Sequence, residues 1–174
     1  LSQDFKNELI RRGIKSDIHL TSTKVPDYFI SGFDLSMRQG KAENIMYSGR
    51  IEKAKGVYET VDTFSILKSQ YKDLTLTFVG DGSELPMLKQ YVENKKIKDV
   101  RFTGELRGED FKKEYINADM YLFLSYTEGM PTVVLEAMIF GLPIFTRKVG
   151  GLIDFFENGK MGDISSSLDP AVFA

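Results

Sequence analysis

Apolar and polar positions along this chain fall into blocks whose period changes in a regular order. From Asn44 onward, short apolar runs rich in β-branched and aromatic residues alternate with longer amphipathic stretches. The short runs predict strands over 45–48, 74–79, 100–103, 120–125 and 144–146, with a last strand over 162–165. The longer stretches predict helices over 57–71, 83–95, 108–118 and 131–140, and a short helix over 150–156. Ser83 reads as the cap of the second of these helices. Pro131 marks the start of the helix over 131–140, and Gly141 followed by Pro143 marks its end. The longest apolar stretch, 133–145, is interrupted by Glu136, Gly141 and Pro143, and reads as a buried helix running into a buried strand.

Before Asn44 the pattern is weaker. Residues 1–12 read as a helix, with Ser2 as a candidate cap and Gly13 as its stop, and 18–23 are strand-like. Residues 24–43 hold Pro26, Gly32 and Gly40 among mixed charges and read as loop or linker. The organisation expected is therefore the end of a preceding region over 1–43 and one domain over 44–174. The first residue is Leu1, and only four residues follow the Asp169-Pro170 helix-start signal. Those ends suggest a piece of a longer chain, truncated at its C-terminus.

Strands that alternate with helices imply a mostly parallel sheet covered on both faces, a three-layer α/β/α, Rossmann-like fold. In such sheets ligands bind beyond the carboxyl ends of the strands, near the switch in strand order. Every polar loop described below follows a predicted strand, so all should share that edge.

Composition narrows the chemistry. The chain has 174 residues, 42% hydrophobic and 28% charged, which suits one soluble globular domain. A formal net charge of -2 gives no electrostatic reason to expect nucleic acid. With no cysteine, neither a disulfide nor a thiolate metal site can be built, and a single histidine, His19, argues against a His-rich metal site or a catalytic triad. His19 reads as structural. No apolar run is long enough to span a bilayer.

The segment 125–143 carries the strongest signal. It holds a Gly-Met-Pro turn, a fresh helix start, and Glu128 and Glu136 on either side of that start. The first N–H groups of a helix lack partners within it, so Thr132 and Val133 offer donors at the positive end of the helix dipole. A carboxylate accepts two hydroxyls at once, so the two acids suit hydroxyls beside an anion. Glu136 interrupts an apolar run and needs partners, whereas Glu128 also reads as a solvated loop acid. As a pair they could instead be a glycosidase acid and nucleophile, but a phosphate-type site has no place in that chemistry. The segment 48–56, Ser-Gly-Arg-Ile-Glu-Lys-Ala-Lys-Gly, offers Arg50 as a fork for a phosphate and Lys55 as a mobile charge, with Gly49 allowing close approach. Taken alone, it reads as a solvated basic turn. Gly80-Asp81-Gly82 and Gly104-Glu105-Leu106 are strand-end turns, and the second could border a flat base.

Together these motifs resemble the C-terminal, donor-binding domain of group 1 glycosyltransferases, the retaining family 4 enzymes of the GT-B fold. The resemblance covers about 44–162. It rests on Ser-Gly-Arg-Ile-x-x-x-Lys-Gly at 48–56, Val-Gly-Asp-Gly at 79–82, Phe-Thr-Gly at 102–104, Glu-Gly-Met-Pro-Thr-Val-Val-Leu-Glu-Ala-Met at 128–138, Gly-Leu-Pro at 141–143 and Val-Gly-Gly at 149–151. It implies that Arg50 and Lys55 neutralise a donor diphosphate and that Glu128 contacts the donor sugar. The backbone of Gly129, Met130, Pro131, Thr132 and Val133 would surround sugar and phosphates. Glu136 would hold the ribose, and Leu106 would border the base, with Gly49 beside the ligand. Thr132 stands where the family commonly has asparagine, and Asp154 where it often has glutamate.

The activity so implied is transfer of a sugar from a UDP- or GDP-type donor to a glycan or lipid-linked acceptor, as in surface polysaccharide synthesis. The nucleotide-sugar is substrate, and neither cofactor nor metal is expected. The acceptor would be held by an N-terminal domain outside residues 1–174, so this piece alone should transfer nothing. A cytoplasmic place is expected, with peripheral attachment at the inner face of a membrane for a full-length protein. The competing class is a non-catalytic sugar-nucleotide-binding or scaffold domain of a split or inactive transferase. A GT-B-type epimerase would need further acids that the sequence does not single out.

Overall fold

The short apolar runs form one sheet of six strands in the computed structural model, which describes residues 3–19, 25, 27–38 and 42–174. The strands are β1 (Asn44–Ser48), β2 (Thr75–Val79), β3 (Val100–Gly104), β4 (Met120–Phe123), β5 (Ile144–Arg147) and β6 (Gly162–Ser165). Their order is β3-β2-β1-β4-β5-β6, and every neighbouring pair is parallel. The helices are α1 (Gln3–Arg11), α2 (Asp27–Ile30), α3 (Val57–Gln70), α4 (Leu85–Asn94), α5 (Gly108–Asn117) and α6 (Thr132–Ile139). This is the expected three-layer, Rossmann-like arrangement.

The central strands explain why the apolar runs are continuous. Ile45, Met46, Tyr47 and Ser48 of β1 are all buried, as are Tyr121, Leu122 and Phe123 of β4. A strand covered on both faces has no solvent side to alternate with. The aromatic rings of Tyr47, Phe78 and Phe123 pack across the sheet, with centroids 5.2 and 6.0 Å from that of Tyr47.

Several boundaries differ from the sequence expectation. Ser83 does not cap α4: Glu84 holds that position, and no side chain bonds the helix start. The 80–84 turn is instead fixed by backbone, with Glu84 N–H donating to Ile51 O at 3.0 Å. The strand expected over 120–125 ends at Phe123, because Ser125 and Tyr126 turn to bond Ala54 O. Pro131 is the residue before α6 rather than its first turn. The short helix expected over 150–156 is a 3-10 turn at Gly150–Asp154. Asp169 does cap a terminal 3-10 turn, its side chain accepting from Ala171 N–H at 2.9 Å.

In the N-terminal region, the Ser2 cap and residues 20–23 of the strand-like run lie outside the described residues, as do Pro26 and Gly40. Ile18 and His19 belong to no regular element, and His19 is exposed. The described part of 24–43 holds α2 and a 3-10 turn at Leu35–Met37. It packs on the domain. Phe29 and Phe33 set their rings against Phe140, at 5.3 and 4.9 Å between centroids. Arg38 donates to the carbonyls of Tyr115 (2.7 Å), Ala118 and Phe140, at the ends of α5 and α6.

The order of strands reverses between β1 and β4. The loops that leave the carboxyl ends of these two strands therefore lie side by side.

Candidate functional site

The loop after β1 is tied to the loop after β2. Gly49 N–H donates to Val79 O (3.0 Å), Ile51 N–H to Asp81 O (2.8 Å), and Tyr47 O–H to Arg50 O (2.9 Å). The approach is close enough that a Cβ on Gly80, at φ 140°, would lie 1.9 Å from Gly49 O. The loop thus presents Arg50 from a fixed backbone. The Arg50 side chain is 70% exposed, with Nη1 resting 2.9 Å from Glu52 Oε1.

The loop after β4 is fixed from both sides. Ala54 O accepts from Tyr126 N–H at 3.0 Å and Ser125 Oγ at 3.3 Å. Arg147 is buried and donates to Leu124 O (2.6 Å), Ser167 O (3.0 Å) and Leu168 O (3.2 Å). Behind the loop, Gly151 N–H donates to Gly129 O at 2.7 Å. Gly150, at φ 52°, has room for no side chain: a Cβ there would lie 2.3 Å from Gly129 O and 2.5 Å from Glu128 O.

These two loops bring Lys55 and Glu128 into direct contact. Lys55 Nζ lies 2.7 Å from Glu128 Oε1, with only 17% and 12% of the two side chains exposed. Lysine has two further donors and Glu128 a second oxygen, so each keeps capacity for a ligand. Beside them α6 begins without a side-chain cap. Among the described residues the N–H groups of Thr132 and Val133 meet no acceptor, whereas Val134 N–H turns back to Pro131 O at 3.1 Å.

Two adjoining depressions open on this edge. One, of about 340 Å³, is lined by Leu106 and Phe111 beside Asp81 and Glu105. The other, of about 230 Å³, is lined by Lys55, Glu128, Met130, Pro131 and Thr132. Gly49, Arg50 and Val133 border both, so the two meet as one trough at these residues. Gly129 is not on its wall; its carbonyl faces Gly151. A third cavity, of about 290 Å³, opens at the opposite end of the sheet, by Ile45, Leu74, Phe145 and Phe173. No charged side chain lines it, and it is remote from the loops just described.

Glu136 stands one turn behind Val133, half-buried, and lines neither depression. Its Oε2 accepts from Tyr115 O–H at 2.8 Å. Burial raises the Glu136 carboxyl from its ordinary value, and the Tyr115 bond pulls it partly back. Tyr115 O–H in turn lies 2.8 Å from Ser48 Oγ, and Ser48 Oγ lies 2.9 Å from Tyr121 O–H. The sequence pattern gives Tyr115, Tyr121 and Arg147 no part in the site, and Ser48 only a place in the 48–56 motif. The signal that was available is the polar tip of Tyr121 within the apolar run 120–124, since a buried tyrosine hydroxyl needs a partner; Tyr115 lies in the charged stretch 108–117 and carries no such signal.

Among the described residues, no three Asp, Glu or His side chains gather into a set that could hold a metal ion. No helix among them is long and apolar enough to cross a membrane.

The family model described as "Glycosyl transferases group 1" matches residues 36–174. The chain belongs to the group 1 glycosyltransferases. It is 30% identical over 138 residues to glycogen synthase of Mycobacterium tuberculosis, covering 79% of this chain and 33% of that protein. It is 31% identical over 128 residues to the capsular polysaccharide biosynthesis glycosyltransferase CapM of Staphylococcus aureus, covering 69% of this chain and 32% of the relative. The chain thus spans about a third of the length of these relatives. Among solved structures, the pneumococcal O-GlcNAc transferase GtfA in complex with UDP and GlcNAc superposes with a TM-score of 0.80 at 23% identity, over 97% of this chain and 34% of that one. That likeness establishes the fold, the Rossmann-like α/β/α domain of GT-B glycosyltransferases.

Proposed function

We propose that this domain binds the nucleotide-sugar donor of a retaining glycosyltransferase, with a UDP- or GDP-type nucleotide in the trough. The observation that carries the reading is the meeting of Arg50, the Lys55–Glu128 pair and the uncapped start of α6 at the switch between β1 and β4. The base lies in the Leu106 depression. The diphosphate lies where the two depressions meet, beside Arg50, Lys55 and the Thr132 and Val133 N–H groups. The sugar lies toward Glu128 and the Met130–Pro131 backbone, and Glu136, one turn behind Val133, takes the ribose with Oε1. The UDP bound by the pneumococcal relative supports a nucleotide of this class.

The chemistry follows from that placement. When the bond between the sugar anomeric carbon and the diphosphate oxygen breaks, charge grows on the departing oxygen. Fixed donors aimed at that oxygen stabilise it most where water is sparse. Arg50, Lys55 and the α6 N–H groups supply them, so a divalent ion has no required part. The Lys55–Glu128 bond holds the lysine at its post before the donor arrives. The acceptor, a glycan or lipid-linked glycan, is held outside residues 1–174, at the membrane face in a full-length enzyme. A non-catalytic binding domain would need the same trough, and turnover by the whole protein separates the two readings.

Calorimetry with UDP and GDP in the presence of a chelator tests the proposal. Binding is expected without metal, and Arg50→Ala should cost about 1.5–3 kcal/mol of it, the range for hydrogen bonds to a charged group. Unchanged affinity in that variant removes Arg50 from the phosphate site.

A further inference from the structure

The polar chain behind α6 has a direction that follows from counting hydrogens. Each hydroxyl of Tyr121, Ser48 and Tyr115 carries a single hydrogen, and an ionised carboxylate carries none. Tyr115 O–H is within reach of Glu136 Oε2 (2.8 Å), Ser48 Oγ (2.8 Å) and Val133 O (3.4 Å). Donating to the nearby carboxylate gives the strongest bond, and Tyr115 must then accept from Ser48. Ser48 has then spent its hydrogen, and Tyr121 O–H, 2.9 Å from Ser48 Oγ and 3.1 Å from Ser48 O, donates to Ser48 at one or other of these oxygens. The result is a one-way series from β4 through β1 and α5 to α6, with no hydroxyl left unsatisfied. Ser48, Tyr115 and Tyr121 are all fully buried, so none of them can be reorganised by water.

Glu136 is the end of this series. Its Oε2 is taken, and among the described residues no hydrogen bond ends on Oε1. The ring of Tyr115 is itself immobilised, stacked on Phe140 at 5.4 Å and on Tyr121 at 6.1 Å, while Arg38 holds its carbonyl at 2.7 Å. A carboxylate with one oxygen pinned has a single remaining direction for its second oxygen.

We propose that Tyr115, oriented by Ser48 and Tyr121, is a positioning residue that sets Glu136 to discriminate ribose from deoxyribose in the donor nucleotide. The inference rests on the reading that Glu136 takes the ribose. Burial raises the Glu136 carboxyl and the Tyr115 bond lowers it, so the same contact also favours the acceptor-only form that two hydroxyls require. Tyr115 acts through Glu136 and touches no part of the ligand.

The test measures binding of UDP and GDP, and of their 2′-deoxy and 3′-deoxy forms, to the chain and to three variants. Tyr115→Phe keeps the ring and removes the hydroxyl. It should reduce the preference for the ribose form by about fivefold, the scale of one hydrogen bond, while affinity for the deoxy forms stays within about twofold. Glu136→Ala should abolish the preference. Ser48→Ala, one step further back, should reduce it less than Tyr115→Phe does. If Glu136→Ala abolishes the preference and Tyr115→Phe leaves it intact, the positioning role is overturned and the ribose reading stands. If Glu136→Ala leaves the preference intact, or the wild-type chain shows none, the ribose reading falls and the proposal with it. A uniform loss across ribose and deoxyribose forms in Tyr115→Phe marks a merely structural role and also overturns it. Should Tyr115→Phe fail to fold, Ser48→Ala decides, since an unchanged preference there contradicts the series.

Discussion

Glu136 shows most directly how one residue carries both a cost and a use. It sits in an otherwise apolar helix, half-buried, with a single hydrogen bond to Tyr115. Burial raises its carboxyl, so the folded protein holds that proton more tightly than the unfolded chain does. By linkage, the ionised form lowers stability above the raised titration, and the loss disappears as pH falls into the ordinary carboxylate range. Tyr115 and Tyr121, the titratable groups facing it from α5 and β4, are pushed well above their usual range and stay neutral throughout. Glu136→Gln is therefore expected to melt at a higher temperature than the unsubstituted chain at neutral pH. Thermal unfolding followed across pH should show that gap closing toward acid. A variant that gains stability and loses ribose preference would mark Glu136 as kept for binding.

At the scale of the element, the decisive object is the loop between β4 and α6. It is held by Ala54 in front and by Gly150 and Gly151 behind, so its shape depends on a residue well beyond its own end. Gly150→Ala places a Cβ 2.3 Å from Gly129 O at a positive φ. The expected cost is about 2 kcal/mol in urea unfolding, from strain that cannot be relieved without shifting Glu128. Nucleotide affinity should fall with it. The elements themselves are legible in the sequence because period and punctuation are local: a buried strand reads as an apolar run, and a helix ends where Gly141 allows it. The Lys55–Glu128 bond is not legible, since its partners are far apart in sequence and meet only because β1 and β4 are neighbours. The Tyr115 series is hidden for the same reason. Ser83 misleads because a backbone bond from Glu84 to Ile51 takes over the work a cap would do.

At the scale of the whole molecule, the sheet and the segment before it form one packed unit. Arg38 satisfies three carbonyls at the ends of α5 and α6, and stacks on Phe33 at 5.3 Å. Arg38→Ala would leave those acceptors without their donor and remove the cation from the Phe33 ring. The expected loss is about 2–4 kcal/mol in denaturant unfolding, from several unsatisfied buried groups acting together. Near-ultraviolet dichroism of the aromatic cluster should change in step. The group 1 match begins at residue 36, just ahead of this arginine. The same contact decides how the domain can be transplanted. A graft that begins at the first strand would carry the trough and every residue named around it, yet arrive with a bare patch of carbonyls and aromatic rings. Portability therefore belongs to the longer unit: a chimera keeping Phe29 through Arg38 imports its own cover, and one that omits them must borrow a cover from its host.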